Sequence, residues 1–534
     1  MIRKSLVLPA LLGVLVPVVT SCGVVGDSGG DDDAIVVGTT DRLELTKENP
    51  APLDPATAYD INSWNILQNT FQTLMRMPRT GSEPEPDAAE RCVFADRLSE
   101  QYRCTLRDGL TFTNGHDLTA ADVKFSIERM LEIKNPNGPF PLLANVDTVE
   151  TPDALTVVFH LKTPDATFPL KLATPAAAIV DSQVYEKDKL YEGFEIAGSG
   201  PYSLKVEHDD DVATKAVYTG NGDYKGEVEP QNDAVEVRYF GTSKSMEDAI
   251  AGGDIDVMGR SLKPEQINRL DEGTDGDVSL FETPGAEIAY LVFDVENPTV
   301  KDRAVRQAAA EVIDRTKLAR EVYQRTVDPL YAMIPRGIVG HNTAFHDAYG
   351  DRPDAGGARE LLREAGVETP VKLTLNYTTD HYGETTKAEF EELRDQLNRS
   401  GLFDADIKGD TWETYKKNYA ENRYAVYGLH WYPDFPDPDT FTGPFVGEEN
   451  FTFNNYDSSV IEDLIPRTRQ EAQRERTTDS FERIQDVLAS DVPYLPLWQG
   501  KQYIAARDTV TGAEWALNSS STLQLWELRR GLSE

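Results

Sequence analysis

Tyr102-Arg103-Cys104-Thr105-Leu106-Arg107-Asp108-Gly109-Leu110-Thr111-Phe112, continuing through Asn114-Gly115 to Leu118-Thr119-Ala120-Ala121-Asp122-Val123-Lys124-Phe125-Ser126, is the stretch that decides the fold. Tyr102 to Leu106 reads as a short extended segment and Ala120 to Ile133 as a helix. Thr119 is a good N-cap, and Asp122 three residues on gives a capping-box-like start in which the acidic side chain also suits the helix dipole. Val123, Phe125, Ile127 and Met130 supply a buried face.

Working outward, the same alternation of short strands and helices fills the chain. Strand-like runs are Leu43 to Leu45, Leu155 to Leu161, Ala234 to Phe240, Ile288 to Phe293 and Val371 to Asn376. Helical runs are Ser63 to Met75, Lys301 to Ile313, Lys387 to Asn398 and Ser480 to Leu488. In the first of these Trp64, Leu67, Phe71 and Leu74 share one face. Strands alternating with helices predict α/β domains, and 534 residues predict about two to three of them.

The composition is that of a folded chain, with 40% hydrophobic residues. The net charge is −38, from 91 acidic against 53 basic residues, and no basic cluster interrupts it. That charge disfavours nucleic acid and anionic membrane surfaces as direct partners.

The N-terminus reads as a secretory signal. Arg3 and Lys4 precede an apolar run from Leu6 to Val19, too short to cross a bilayer that needs about 20 helical residues. Val19-Thr20-Ser21-Cys22 resembles a bacterial lipobox, which implies cleavage before Cys22 and lipidation of its thiol. Gly23 to Asp33 is rich in Gly and Asp and reads as a flexible tether. The expected location is the extracytoplasmic face of a bacterial, Gram-positive cell membrane, held by the N-terminal lipid. With Cys22 lipidated, Cys92 and Cys104 remain, and in an oxidising compartment they are expected to pair across a hairpin.

Several blocks carry a family resemblance. The stretch quoted at the outset is similar to the signature of the peptide/nickel-type (family 5, oligopeptide/dipeptide-binding) substrate-binding proteins of ABC transporters. Leu53-Asp54-Pro55, Gly198-Ser199-Gly200-Pro201-Tyr202, Asn221-Gly222-Asp223-Tyr224-Lys225-Gly226, Val305-Arg306-Gln307-Ala308 with Ile313-Asp314-Arg315, Trp431-Tyr432-Pro433-Asp434-Phe435-Pro436-Asp437-Pro438 and Pro493-Tyr494-Leu495-Pro496-Leu497 resemble further family blocks in the same order. Any one is weak; seven in order cover essentially the whole mature chain. The pair Cys92 and Cys104 departs from the usual family pattern.

The resemblance implies a bilobal, periplasmic-binding-protein-like α/β fold of type II, cluster C, with three domains around a hinge-enclosed cleft. Its expected layout is a signal peptide over 1–21, a lipid-anchored tether over 22–34, domain I over 35–77, 197–285 and 495–534, domain II over 78–196 and domain III over 286–494. It further implies a binding protein and not an enzyme, a monomer that needs no cofactor or metal, a short peptide as ligand, and ABC permease subunits with cytoplasmic ATPases as partners.

By motif matching, Asp434 falls where peptide-binding relatives place the carboxylate for the ligand's α-ammonium, and Trp431 at the aromatic residue three before it. An enclosed ammonium needs a counter-charge, and Pro433, Pro436 and Pro438 restrict the loop that would hold it. Asp434 also reads as a turn residue, and Trp431 equally as core packing. Asp437 and Asp439 read as loop-capping or exposed. Alternatives within the class are a nickel complex, an opine, a sugar or haem, or a ligand sensor in place of a transporter subunit. Nickel favours imidazole, and His116, His341, His381 and His430 are scattered. A secreted hydrolase is the remote alternative, since no Gly-x-Ser-x-Gly or His-Glu-x-x-His occurs.

Overall fold

The decisive stretch forms a strand and a helix as its pattern predicts: Gln101–Leu106 and Ala120–Ile133. The backbone N–H of Thr119 donates to Asp122 Oδ2 at 2.9 Å, which fixes the helix start. The computed structural model describes residues 34–260, 262–273, 276–446, 450–518 and 520–531. The signal, Cys22 and the tether lie outside the described residues. Among the described residues no helix is long and apolar enough to cross a membrane.

Two sheets organise the chain. The smaller has four antiparallel strands in the order Ala89–Phe94, Gln101–Leu106, Thr156–Leu161, Val146–Asp153. Helix Ala120–Ile133 covers it, burying Val123, Ile127 and Met130 against Leu106, Val157 and Phe159. Cys92 and Cys104 face each other across the first strand pair and form the expected disulfide, with their Cα atoms 4.1 Å apart.

The larger sheet has eleven strands. Its order is Phe403–Asp410, Val371–Thr378, Val426–Trp431, Val278–Phe293, Tyr494–Arg507, Val257–Gly259, Ile35–Thr39, Ala234–Tyr239, Val212–Gly220, Tyr202–Asp209, with Val327–Pro329 added on Tyr494–Arg507. Two long strands, Val278–Phe293 and Tyr494–Arg507, run antiparallel through its middle, and their register slips between Pro284 and Ile288. On one side of them the core contains Leu291, Phe293, Leu318, Phe345 and Leu393 on one face and Tyr290, Tyr427, Phe445 and Phe481 on the other. Toward the opposite edge the core is built from Ile35, Val37, Tyr202, Tyr218 and Val235.

The sequence blocks prove to be joints of this architecture. Asp54 accepts two hydrogen bonds from Arg129, at 2.8 and 2.6 Å, with both side chains fully buried. Arg306 donates to the carbonyls of Val300, Lys301, Asp491 and Val492, and Arg315 to that of Pro496. The Tyr224 hydroxyl donates to Asp87 at 2.6 Å. A Cβ on Gly200 would stand 2.5 Å from the Thr70 carbonyl carbon, so only glycine admits the crossing there.

That crossing corrects one expectation. The helix expected from Ser63 to Met75 runs only over Ile61–Thr70, and Met75–Arg76 is a strand. The Gly200 N–H takes the Thr70 carbonyl at 2.9 Å, and Phe71 leaves in an extended conformation. Leu43 to Leu45 contributes only an isolated bridge from Glu44 to Val212.

Candidate ligand-binding site

Strand Val426–Trp431 ends at the Pro-rich loop, and the loop turns Asp434 inward until 8% of the residue remains exposed. Its carboxylate accepts from two hydroxyls: Tyr59 at 3.1 Å, from just before helix Ile61–Thr70, and Thr440 at 3.4 Å, from its own loop. Among the described residues no cation forms an ion pair with it. Lys171 reaches the site only through its field, because its ammonium is bound to Asp165 at 2.7 Å. Burial therefore dominates and lifts the Asp434 carboxyl from 3.8 to about 7, against the hydrogen bonds of Tyr59 and Thr440 and the charge of Lys171.

The neighbouring acids behave differently. Asp437 meets Arg474 in a two-point ion pair, at 2.6 and 2.8 Å, and also caps the short helix Pro438–Phe441. Asp439 pairs with Arg469 at 2.9 Å. Both aspartates are buried; of the expected loop-capping or exposure Asp437 shows the first, and Asp439 is instead held by its ion pair. Three acids of one loop thus divide into two that are neutralised and one that is not.

Around Asp434 the walls are aromatic. Phe435 is buried with Trp64, Leu170 and Ala176. The Trp431 ring packs against Phe451 at 4.7 Å and Phe445 at 5.5 Å, and its Nε1 is buried without an acceptor. His430 projects from the opposite face of the strand, 2.9 Å from Glu287 and stacked on Tyr382 at 4.0 Å. The segment preceding Lys171 touches the same region, since the Ala166 N–H donates to the Arg469 carbonyl at 2.7 Å.

Of the two residues expected from the sequence, Trp431 closes strand Val426–Trp431 and Asp434 stands three residues on, in the loop that follows. Sequence reasoning missed Tyr59, Thr440 and the arginines. Thr440, six residues after Asp434, carries the one signal that was present: a hydroxyl residue inside the same Pro-rich loop. Tyr59 had none.

This geometry can take a cation. A buried carboxylate held by neutral donors, with aromatic walls, is a vacant half of an ion pair.

Comparisons with known proteins agree with the architecture. The family described as "Bacterial extracellular solute-binding proteins, family 5 Middle" matches residues 83–453. A probable D,D-dipeptide-binding periplasmic protein of Escherichia coli strain K12 is 24% identical over 492 residues, covering 88% of this chain and 91% of that protein. A glutathione-binding protein of the same strain is 24% identical over 513 residues, 94% of each. A solved periplasmic binding protein of Helicobacter pylori, in complex with the peptide STSA, superposes with a TM-score of 0.79 at 20% identity, covering 93% of this chain and 98% of that one. The order of the motif blocks, the fold they join and the extent of the match lead to one conclusion: the chain belongs to family 5 of the bacterial extracellular solute-binding proteins.

Proposed function

We propose that this protein captures short peptides outside the cytoplasm and delivers them to an ABC importer, with Asp434 pairing the ligand's α-ammonium. The single observation that carries the reading is the buried Asp434 carboxylate, held among the described residues by the hydroxyls of Tyr59 and Thr440 and by no cation. Peptide termini bring the missing charge. Trp431, whose buried Nε1 has no acceptor among the described residues, is the donor for a ligand carbonyl. The dipeptide, glutathione and tetrapeptide named for relatives all carry a free ammonium.

Closure follows from the same contacts. We take 35–77, 197–285 and 495–534 as domain I, 78–196 as domain II and 286–494 as domain III, hinged where the long strands slip register near Pro284 and Ile288. Tyr59 and Asp434 then meet across the cleft, and ligand binding stabilises the closed form. The protein acts as a monomeric, non-enzymatic receptor, tethered by lipid at Cys22, with two permease subunits reading the closed state.

The test is titration of free and N-acetylated peptides. Acetylation removes the ammonium and should abolish binding; equal affinity for both would overturn the role of Asp434.

A further inference from the structure

Phe435, the residue after Asp434, is 1% exposed, and the side chains that enclose it are not those of its own part of the chain. The apolar cluster around it draws its other buried members from residues 58–197, among them Ala58, Trp64, Leu170 and Ala176. Among the described residues, Phe435 alone enters that cluster from beyond 197. The clusters around Leu291 and Tyr290, by contrast, are built wholly from residues 286–498.

Both partners are shaped before they meet. Phe435 precedes Pro436, which restricts its backbone to extended conformations. The two-point pair of Asp437 with Arg474 and the pair of Asp439 with Arg469 anchor the loop that presents the ring. On the socket side, Trp64 Nε1 donates to the Ala58 carbonyl at 2.9 Å. Two polar contacts run beside the ring between the same parts of the chain. The Tyr59 hydroxyl donates to Asp434 at 3.1 Å, and the Ala166 N–H to the Arg469 carbonyl at 2.7 Å. On separation these groups exchange one partner for water at small net cost. The Phe435 ring has no such exchange, because parting returns its apolar surface to water. Of the three contacts it is therefore the one that resists opening.

We propose that Phe435 is a positioning residue for the ligand site: seated in the socket of residues 58–197, it holds the lobes together before a ligand arrives and keeps Asp434 against Tyr59. Because it acts through closure and not through the ligand's side chains, it weights every peptide by the same factor. This assignment rests on the reading of Asp434 and of the lobes given above.

Small-angle scattering of the ligand-free full chain reads the lobes, and calorimetric titration with Ala-Ala, Leu-Gly and Ser-Phe reads the affinity. Phe435→Ala should enlarge the ligand-free radius of gyration. It should also raise the Kd of all three dipeptides by one common factor of about 10 to 100, the order that burying one such ring corresponds to. Phe435→Leu, which refills the socket, should restore most of both. An unchanged radius would overturn the proposal, and so would losses that differ between the peptides, since the ring would then be touching ligand side chains. Scattering needs no ligand, so the two readings separate: N-acetyl-Ala-Ala binding the unaltered protein as well as Ala-Ala does would overturn Asp434, while Phe435 stands or falls on the radius. Where Phe435→Ala fails to fold, Ala176→Leu, which fills the socket from its other wall, should give the same two results, and an unchanged radius there would overturn the proposal.

Discussion

The hydroxyl of Tyr59 donates to Oδ2 of Asp434 at 3.1 Å and joins side chains 375 residues apart in sequence. The donor is neutral, so the bond places the carboxylate without discharging it. Asp434→Asn keeps a polar side chain and removes the charge. It should weaken free-amine peptides by about 2–5 kcal/mol, while the ligand-free protein melts at the same temperature or higher at pH 8. Calorimetric titration and thermal unfolding check the two halves.

Protonation of Asp434 gives a pH signature with a defined sign. With its carboxyl lifted from 3.8 to about 7, chiefly by burial, the ligand-free fold favours the protonated form. The stability it confers is complete below about pH 4 and is lost as pH rises through about 7, on the order of 4 kcal/mol across that window. An ammonium favours the ionised form. Peptide affinity should therefore rise with pH up to about 7 and then level, with a proton released on binding at pH 6. Titration at pH 6 in two buffers of different ionisation enthalpy measures that proton, and Asp434→Asn should remove it.

The Asp437–Arg474 pair should respond to substitution differently from Asp434, because its charge is already partnered. Arg474→Ala leaves a buried carboxylate unpaired and should cost about 3–5 kcal/mol of stability. Arg474→Met combined with Asp437→Leu should cost less than either single change. A denaturant series on the three variants reads this, and additive losses would contradict the coupling.

Gly200→Ala should destabilise the fold by about 1–3 kcal/mol. The added methyl meets the backbone of Thr70 and Phe71, which cannot rotate away as a side chain can. Thermal unfolding is sufficient, since the position lies outside the site.

Reducing the Cys92–Cys104 bond should cost at most about 3 kcal/mol, because it closes a loop of separation 12. Peptide affinity should be unchanged, for the hairpin carries no residue of the site. A loss of affinity on reduction, with the fold intact, would contradict this.

Much of this was legible in the sequence where the signal was local. Helix Ala120–Ile133 carries its own start signal at Thr119 and Asp122, and it appears with the bounds expected. Cys92 and Cys104 lie on strands short enough to register by hairpin alone. Asp434 was singled out by motif. What failed was non-local. Nothing in Ser63 to Met75 says that Gly200 will take the Thr70 carbonyl and end the helix. The ion pairs of Asp437 and Asp439 gave no local sign, because Arg474 and Arg469, 37 and 30 residues on, reach them only in the fold. Tyr59 gave no sign at all, since its meaning depends on a partner at the far end of the chain.

The strand order of the large sheet also dictates when the molecule can come into being. Ile35–Thr39 sits between two strands from the middle of the sequence, and Tyr494–Arg507 lies between Val278–Phe293 and Val257–Gly259. The centre of the sheet stays open until residue 507 has been made. Every earlier state of the growing chain has unpaired strand edges, so closure is late, driven by contacts of long sequence separation, and slow. A chain built this way remains threadable for most of its synthesis, and the last strand of its large sheet acts as the clasp that ends that period.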